Sequence, residues 1–198
     1  NSIATMSAMK NIVAKAEVEE TFPQEIAIYD LNEFLGALSL FSSPILDFND
    51  SYVVISEETK PTTKMKYFYS DPSVVTSPSK MITMPSEEVK FTMSNDDLSK
   101  LKRAAGAIGA PDMVLERKEG TSSITVKDKK NDTANNYSLD VDTNGEGEFN
   151  FFFKVENMKL LDGTYDVEIS SKNISHYKNK SFDIEYWIAL EPESTYKV

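Results

Sequence analysis

A short basic strip in an acidic chain is the feature of this sequence with the clearest chemistry. Lys100 and Arg103 are three residues apart, with Lys102 between them, in a chain whose formal net charge is −11. At this spacing Lys100 and Arg103 would be neighbours on a helix, where they would form a cationic strip on its outer face that could bind a negatively charged partner. The alternative is a helix face that is simply exposed to solvent, and the spacing does not decide between the two.

The strip requires a helix, and residues 94–109 carry the signals of one. Ser94 is a suitable N-cap, and Asp96 and Asp97 follow in the first turn, where the helix dipole favours negative charge. Gly109 supplies a stop signal at the other end. Apolar residues recur at helical spacing and predict a buried side away from the strip: Leu98, Leu101, Ala105 and Ile108.

Other candidates for chemistry are too few or wrongly spaced. Residues 140–145 resemble the start of an EF-hand loop, but Phe151 stands where that loop needs a bidentate glutamate, so we interpret the stretch as an acidic hairpin turn. The sequence has one histidine, His176, which we expect in a surface loop, and it has no cysteine. Neither a metal triad nor a Ser-His-Asp site can be built from these residues. We therefore expect no catalytic residue, no metal and no cofactor.

The composition is that of a globular protein. The chain has 198 residues, of which 40% are hydrophobic, enough to form a buried core in one large domain or two small ones. No apolar run is long enough to cross a bilayer, so we expect no membrane partner. A net negative charge repels nucleic acid on average. Any DNA binding must therefore depend on a local concentration of positive charge.

The remaining pattern alternates helical and strand-like segments. Asp30 with Glu33 forms a capping-box arrangement that predicts a second helix, whose apolar residues we expect to be buried: Leu31, Phe34, Leu35 and Leu38. Residues 1–26 suggest an edge hairpin. The predicted strands are 45–56, 62–69, 113–117, 123–128, 136–141, 148–155, 164–170 and 180–190, with a short helical turn at 157–161. Helix and antiparallel hairpins in each half indicate an α+β class with an approximate duplication.

A proline-containing connector separates the two halves. Pro72 and Pro78 favour an extended segment over residues 71–86, which leaves an N-terminal domain at 1–70 and a C-terminal domain at 87–198. Methionine-rich extended surfaces accept apolar peptide anchors well. The end of the last predicted strand could therefore line a peptide groove, with Ala189, Leu190 and Pro192 facing the Met81–Met84 connector. The alternative is a core strand with a frayed end.

Several stretches resemble the DNA polymerase sliding clamp of T4-like bacteriophages. They occur in one order over most of the chain from about residue 27 onward, at residues 27–40, 70–75, 149–151, 157–159, 189–191 and 193–195. The resemblance implies two similar α+β clamp domains per subunit, with antiparallel sheets outside and helices lining a ring. It also implies a homotrimer closed head-to-tail around duplex DNA. The family's basic first helix has no counterpart here, so we expect the N-terminal domain to be incomplete.

The resemblance further implies a set of binding residues and partners. The residues expected to face the DNA, independently of its sequence, are Lys100, Lys102, Arg103 and Lys159. The replicative DNA polymerase and the ATP-driven clamp loader are expected to dock apolar peptides on Val74, Val75, Met81, Met84, Trp187, Ala189 and Leu190. Such a clamp is not an enzyme, and it would act in the cytoplasm of the infected bacterial host.

Two other functions remain open at this point. A phage structural or adaptor protein could bind a basic partner through an acidic, β-rich surface. A hydrolase could use a pair of acidic side chains, although the sequence singles out no such pair. The clamp differs from both because it alone assigns a role to the basic strip.

Overall fold

The computed structural model describes residues 1–197. Over this range the chain forms two α-helices and fourteen strands in three antiparallel sheets. The helices are α1 (Leu31–Leu38) and α2 (Asn95–Ile108). The strands are β1 (Ser2–Met6), β2 (Ile12–Glu17), β3 (Pro44–Phe48), β4 (Tyr52–Glu57), β5 (Lys60–Phe68), β6 (Val89–Met93), β7 (Asp112–Lys118), β8 (Thr121–Lys127), β9 (Tyr137–Asp140), β10 (Glu148–Lys154), β11 (Tyr165–Ser170), β12 (Ile174–Asn179), β13 (Ile184–Ala189) and β14 (Thr195–Lys197). The predicted α+β class is confirmed.

The chain divides into two compact units. The first consists of residues 19–77 with Asn1, and the second of residues 2–18 and the chain from Pro78 onward. The predicted edge hairpin is present as β1 and β2, but it groups with the second unit and not with residues 19–70, because β2 pairs with β13. The connector at 71–86 contains the point at which the chain passes from one unit to the other.

The first unit is a three-stranded sheet with α1 packed against it. The sheet order is β3-β4-β5, and Val53 and Ile55 of β4 are fully buried beneath Ala37 of α1. The strand predicted over 45–56 is two strands, since residues 49–51 turn the chain back on itself. The prediction that α1 buries its whole apolar set was wrong in part. Leu31 and Leu35 are 59% and 52% exposed, because only one side of a two-turn helix reaches this small sheet.

The second unit contains a six-stranded and a five-stranded sheet. Their orders are β1-β2-β13-β12-β11-β6 and β14-β10-β7-β8-β9. Apolar side chains from both sheets and from α2 form one core cluster, in which Phe149, Phe151, Phe153 and Tyr165 are among the largest fully buried residues. Burial of this apolar surface is the dominant stabilising contribution. None of the helices in residues 1–197 is long and apolar enough to span a membrane.

Three predicted local features differ from the structure. Residues 174–179, left outside the predicted strands, form β12, so His176 lies in a sheet and not in a surface loop. Residues 141–147 are not a hairpin turn, because β9 and β10 do not pair; instead Asn144 hydrogen-bonds the backbone of Lys90 at the edge of β6. The helical turn expected at 157–161 is a 3-10 turn at Val155–Asn157.

Candidate nucleic-acid interface and partner surface

The basic strip lies on α2, whose ends are fixed as the sequence predicts. The Ser94 hydroxyl accepts a hydrogen bond from the Asp97 N–H at 3.1 Å. Gly109 ends the helix with φ +64°, a left-handed conformation that favours glycine. Leu98, Leu101 and Ala105 are no more than 3% exposed. The buried side of the helix is therefore the predicted one, and its opposite side faces solvent.

Two of the four predicted DNA-binding side chains are exposed along α2. Lys100 pairs with Asp96 one turn earlier, and this hydrogen-bonded carboxylate raises the pKa of Lys100. Arg103 is also exposed, and its Nε donates a long hydrogen bond of 3.4 Å to the Ser99 carbonyl. Neither contact removes its cation from solvent. The Asp96 partner of Lys100 is itself largely exposed, and Arg103 remains exposed beside the Ser99 carbonyl.

The other two predicted residues lie near each other at the flank of the helix. Lys102 is half-buried, and its Nζ donates to the Leu160 carbonyl at 2.7 Å. Lys159, the preceding residue in that segment, is exposed. The structure therefore brings Lys159 close to the side chain of Lys102, although 57 positions separate them in the sequence. Of this pair, Lys159 is the more accessible to a ligand.

The predicted partner residues of the first unit lie at a capped turn. Val74 ends a 3-10 turn, Pro72–Val74, and is 56% exposed, whereas Val75 is half-buried. The Asp71 carboxylate caps this turn by accepting from the Ser73 N–H at 2.8 Å. Hydrogen bonding to Ser73 also lowers the pKa of Asp71. An apolar side chain is thus held at the surface by a fixed backbone.

In the second unit the connector presents two methionines before it is anchored to the sheet. Met81 is 40% exposed and Met84 is half-buried. The chain is then held by Glu88, whose carboxylate accepts from the Ser171 N–H and hydroxyl at 2.9 and 2.7 Å. Burial opposes ionisation of Glu88, yet the hydrogen bonds from Ser171 keep its pKa below its usual value. The anchor limits how far the methionines can move.

The predicted partner residues of β13 are mostly covered. Trp187 and Leu190 are each 6% exposed, and Leu190 belongs to the core cluster. The Trp187 ring lies on the other face of the sheet, stacked on His176 with ring centroids 4.8 Å apart. Ala189 is half-buried. Of this group, only Ala189 offers apolar surface directly to a ligand.

The segment after β13 is fixed by buried ion pairs. Asp112, which is 1% exposed, contacts Lys154 at 2.6 Å and Lys129 at 3.7 Å. Burial alone would raise the pKa of Asp112, but Lys154 and Lys129 hold it below its usual value. Lys129 and Lys154 also pair with Glu191, and Lys129 with Glu193. This network sets the position of the chain that follows Leu190.

Two strand edges of opposite charge were not predicted from the sequence. β5 is an edge strand with exposed Lys60, Lys64 and Lys66. β9 is an edge strand of the five-stranded sheet, with exposed Asp140 at its end and exposed Asp142 just beyond. Alternation along the strands could have indicated the outward direction of these charges. It could not have shown that both strands lack a neighbour on one side.

Comparisons with known proteins agree with this architecture. A family model described as gp45 sliding clamp, C terminal, matches residues 90–192, a range that contains α2 and β13. The chain is 31% identical over 195 residues to a sliding clamp of Vibrio phage KVP40, covering 96% of this chain and 86% of that one. It is 30% identical over 203 residues to the sliding clamp of Enterobacteria phage T4, covering 98% and 87%.

Solved structures show the same fold at lower identity. Proliferating cellular nuclear antigen from Entamoeba histolytica aligns with a TM-score of 0.64 at 15% identity, over 96% of this chain and 84% of that one. The DNA polymerase III beta chain from Streptococcus pneumoniae aligns with a TM-score of 0.65 at 14% identity, over 91% and 51%. The chain therefore spans about half the length of that beta chain.

The fold and the relatives together define a DNA polymerase processivity clamp. More specifically, the chain belongs to the gp45 sliding clamp family. This confirms the clamp function predicted from the resemblance, in preference to a structural adaptor. The match to whole clamps over most of the chain also confirms the clamp-type fold.

Proposed function

We propose that this chain is one subunit of a ring that encircles duplex DNA and tethers the replicative DNA polymerase to it, without catalysing a reaction itself. The observation that carries the proposal is the exposed basic side of α2 in a chain of net charge −11. A closed ring stays on DNA by topology, so it needs only weak contacts. Phosphate contacts from a few cations are independent of base sequence and weaken with salt.

Lys100 and Arg103 are the principal DNA contacts in this proposal. Both are exposed on the side of α2 opposite its buried leucines, so their side chains can reach phosphates without disturbing the core. Lys159 adds a third exposed cation at the flank. Lys102 contributes charge nearby while its Nζ remains bound to the Leu160 carbonyl.

We propose that three copies close the ring head-to-tail. Both units have edge strands that are paired on one side only, among them β5 in the first unit and β9 in the second. Pairing β5 of one copy with β9 of the next would satisfy the free backbone groups of both edges. An interface between two unlike surfaces generates a closed ring when its rotation closes. The lysines of β5 and the aspartates near β9 make this pairing electrostatically favourable.

Light scattering on a size-exclusion column tests the ring. We expect a species of three times the chain mass of 22.3 kDa, which dissociates on dilution and in high salt because charge contributes to the interface. The measurement is the mass across a concentration series at low and high ionic strength. A stable monomer or a closed dimer at every concentration would contradict the trimer.

We also propose that the polymerase and the clamp loader dock apolar peptide anchors on Met81, Met84 and Ala189 of the second unit, and on Val74 and Val75 of the first. Met81 and Val74 support this because they are large apolar side chains held at the surface next to anchored backbone. Trp187 and Leu190, which are covered on opposite faces of the sheet, would position β13 without contacting the peptide directly. As the relatives are phage proteins, the chain would act inside an infected bacterial host, with no membrane partner.

Replacing Met81 with glutamate tests the partner surface. We expect binding of the phage's own polymerase to weaken by about tenfold or more, because a charge would have to be buried against an apolar anchor. The measurement is polymerase affinity by surface plasmon resonance. Met9→Glu is the matched control, since Met9 is 84% exposed in the turn between β1 and β2. Equal affinities for the Met81 and Met9 variants would argue against this surface.

A further inference from the structure

One row of side chains crosses the face of the six-stranded sheet opposite the core. In register, it runs through Val13 on β2, Trp187 on β13, His176 on β12, Glu168 on β11 and Lys90 on β6. The chain contains one tryptophan and one histidine, and these two rings are stacked at an interplanar angle of 13°. The fluorescence of Trp187 can therefore report on the protonation of His176.

His176 is placed between two carboxylates. Its Nδ1 is 3.3 Å from a Glu168 oxygen, and its Nε2 is 2.8 Å from a Glu185 oxygen. A neutral imidazole carries a proton on one nitrogen only and would present a lone pair to one of the two carboxylates. The imidazolium can donate to both. Because its side chain is only 14% exposed, water can compensate little for a missing hydrogen bond.

Other charged groups of the sheet surround this bridge. Lys90 pairs with Glu168 at 3.0 Å and with Glu87. Burial opposes the ionisation of Glu168, but Lys90 and His176 keep its pKa low. On the other side, Lys15 and Lys178 lie opposite Glu185 in register, and Glu185 is the partner that His176 contacts most closely. Both carboxylates are thus held next to the histidine while lysines offset part of their charge.

We propose that protonated His176 links β11 to β13 across β12, through hydrogen bonds to Glu168 and Glu185, and holds the Trp187 ring in place. We call this proton-dependent arrangement the latch. Histidine changes its charge between about pH 5 and 8. The protonated ring bridges both carboxylates, and loss of the proton removes one of the two ties. Since β13 also carries Ala189, the latch makes the proposed partner surface sensitive to pH. That last link rests on the proposed function, whereas the latch itself does not.

Tryptophan fluorescence tests the latch on the protein as it exists. A stacked imidazolium quenches indole emission more strongly than a neutral ring, so we expect emission to rise in a single step as the pH is raised and the ring loses its proton. We expect no such step in His176→Gln. In Glu185→Gln the step should move to lower pH, because an anion that favours the protonated ring has been removed. A flat titration of the native chain, or an unchanged step in His176→Gln, would overturn the proposal.

Thermal unfolding provides a second readout that does not depend on emission. The measured quantity is the Tm of the native chain minus the Tm of His176→Gln. We expect this difference to be about 3 °C larger at pH 6 than at pH 8.5, because the second charged hydrogen bond exists only in the protonated form. A difference in Tm that is the same at both pH values would overturn the latch. Should His176→Gln fold poorly, Glu185→Gln gives a second comparison, since it removes the negative charge of the carboxylate nearest the ring.

Discussion

Replacing both Lys100 and Arg103 with glutamate is expected to shorten processive DNA synthesis by about tenfold while the fold persists, because four units of charge change in each subunit that faces the DNA. Both side chains are exposed and neither belongs to the core cluster. The local cost is small, since a glutamate introduced at position 100 would repel Asp96 at i,i+4 by only a few tenths of a kcal/mol. The measurement is product length on primed single-stranded circles with the phage's polymerase and clamp loader.

The matched control reverses two other exposed lysines. Lys118→Glu with Lys172→Glu makes the same charge change at the end of β7 and in the turn between β11 and β12. This control should retain processive synthesis, and its circular dichroism and Tm should match those of the α2 variant. If both double variants lose synthesis equally, overall charge and not the α2 strip is responsible. Full synthesis by the α2 variant would refute the assignment of the DNA contacts.

Reversing the charges at one strand edge is expected to abolish the proposed trimer, and reversing both edges in the same chain to restore it. Lys64→Glu with Lys66→Glu would place four like charges where β5 meets the aspartates near β9 of the next copy, and like charges across an interface cost several kcal/mol. Both lysines point away from the core of the first unit, because Met65 and Tyr67, which alternate with them along β5, face inward. The fold of each unit should therefore survive.

The restoring variant makes this test specific. Adding Asp140→Lys and Asp142→Lys to the β5 variant reverses the second edge, so that every head-to-tail contact again joins opposite charges. The measurement is solution mass by light scattering at low salt. The Lys118 and Lys172 double variant serves again as the control and should remain trimeric. A trimer in the β5 variant, or a monomer in the variant with both edges reversed, would place the interface elsewhere.

The helix that carries the basic strip could be predicted from the sequence because its signals are local. Ser94, Gly109 and the spacing of the buried leucines act within a few residues of one another, and the structure confirms each of them. The α+β class follows in the same way from the alternation of helical and strand periods. The family could also be identified from short stretches, since their order along the chain does not depend on how the chain folds.

Features that depend on distant pairing could not be predicted in this way. His176 lies in β12 because β11 and β13 flank it, and the polar pattern of residues 174–179 alone did not indicate a strand. The exposure of Leu31 and Leu35 could not be predicted either, because it depends on the small area of sheet that α1 packs against. The β1–β2 hairpin joins the second unit through β13, which lies far away in the sequence.

The sequence by itself therefore determined α2, its basic strip and the clamp family. Only the tertiary structure decided which cations stay exposed, as Lys100 and Arg103 do, whereas Lys102 is half-buried and bound to the Leu160 carbonyl. It also decided which predicted partner residues are covered, Trp187 by His176 and Leu190 by the core. The physical reason is that caps and periodicity are properties of neighbouring residues, whereas exposure and strand edges depend on contacts between residues far apart in the chain.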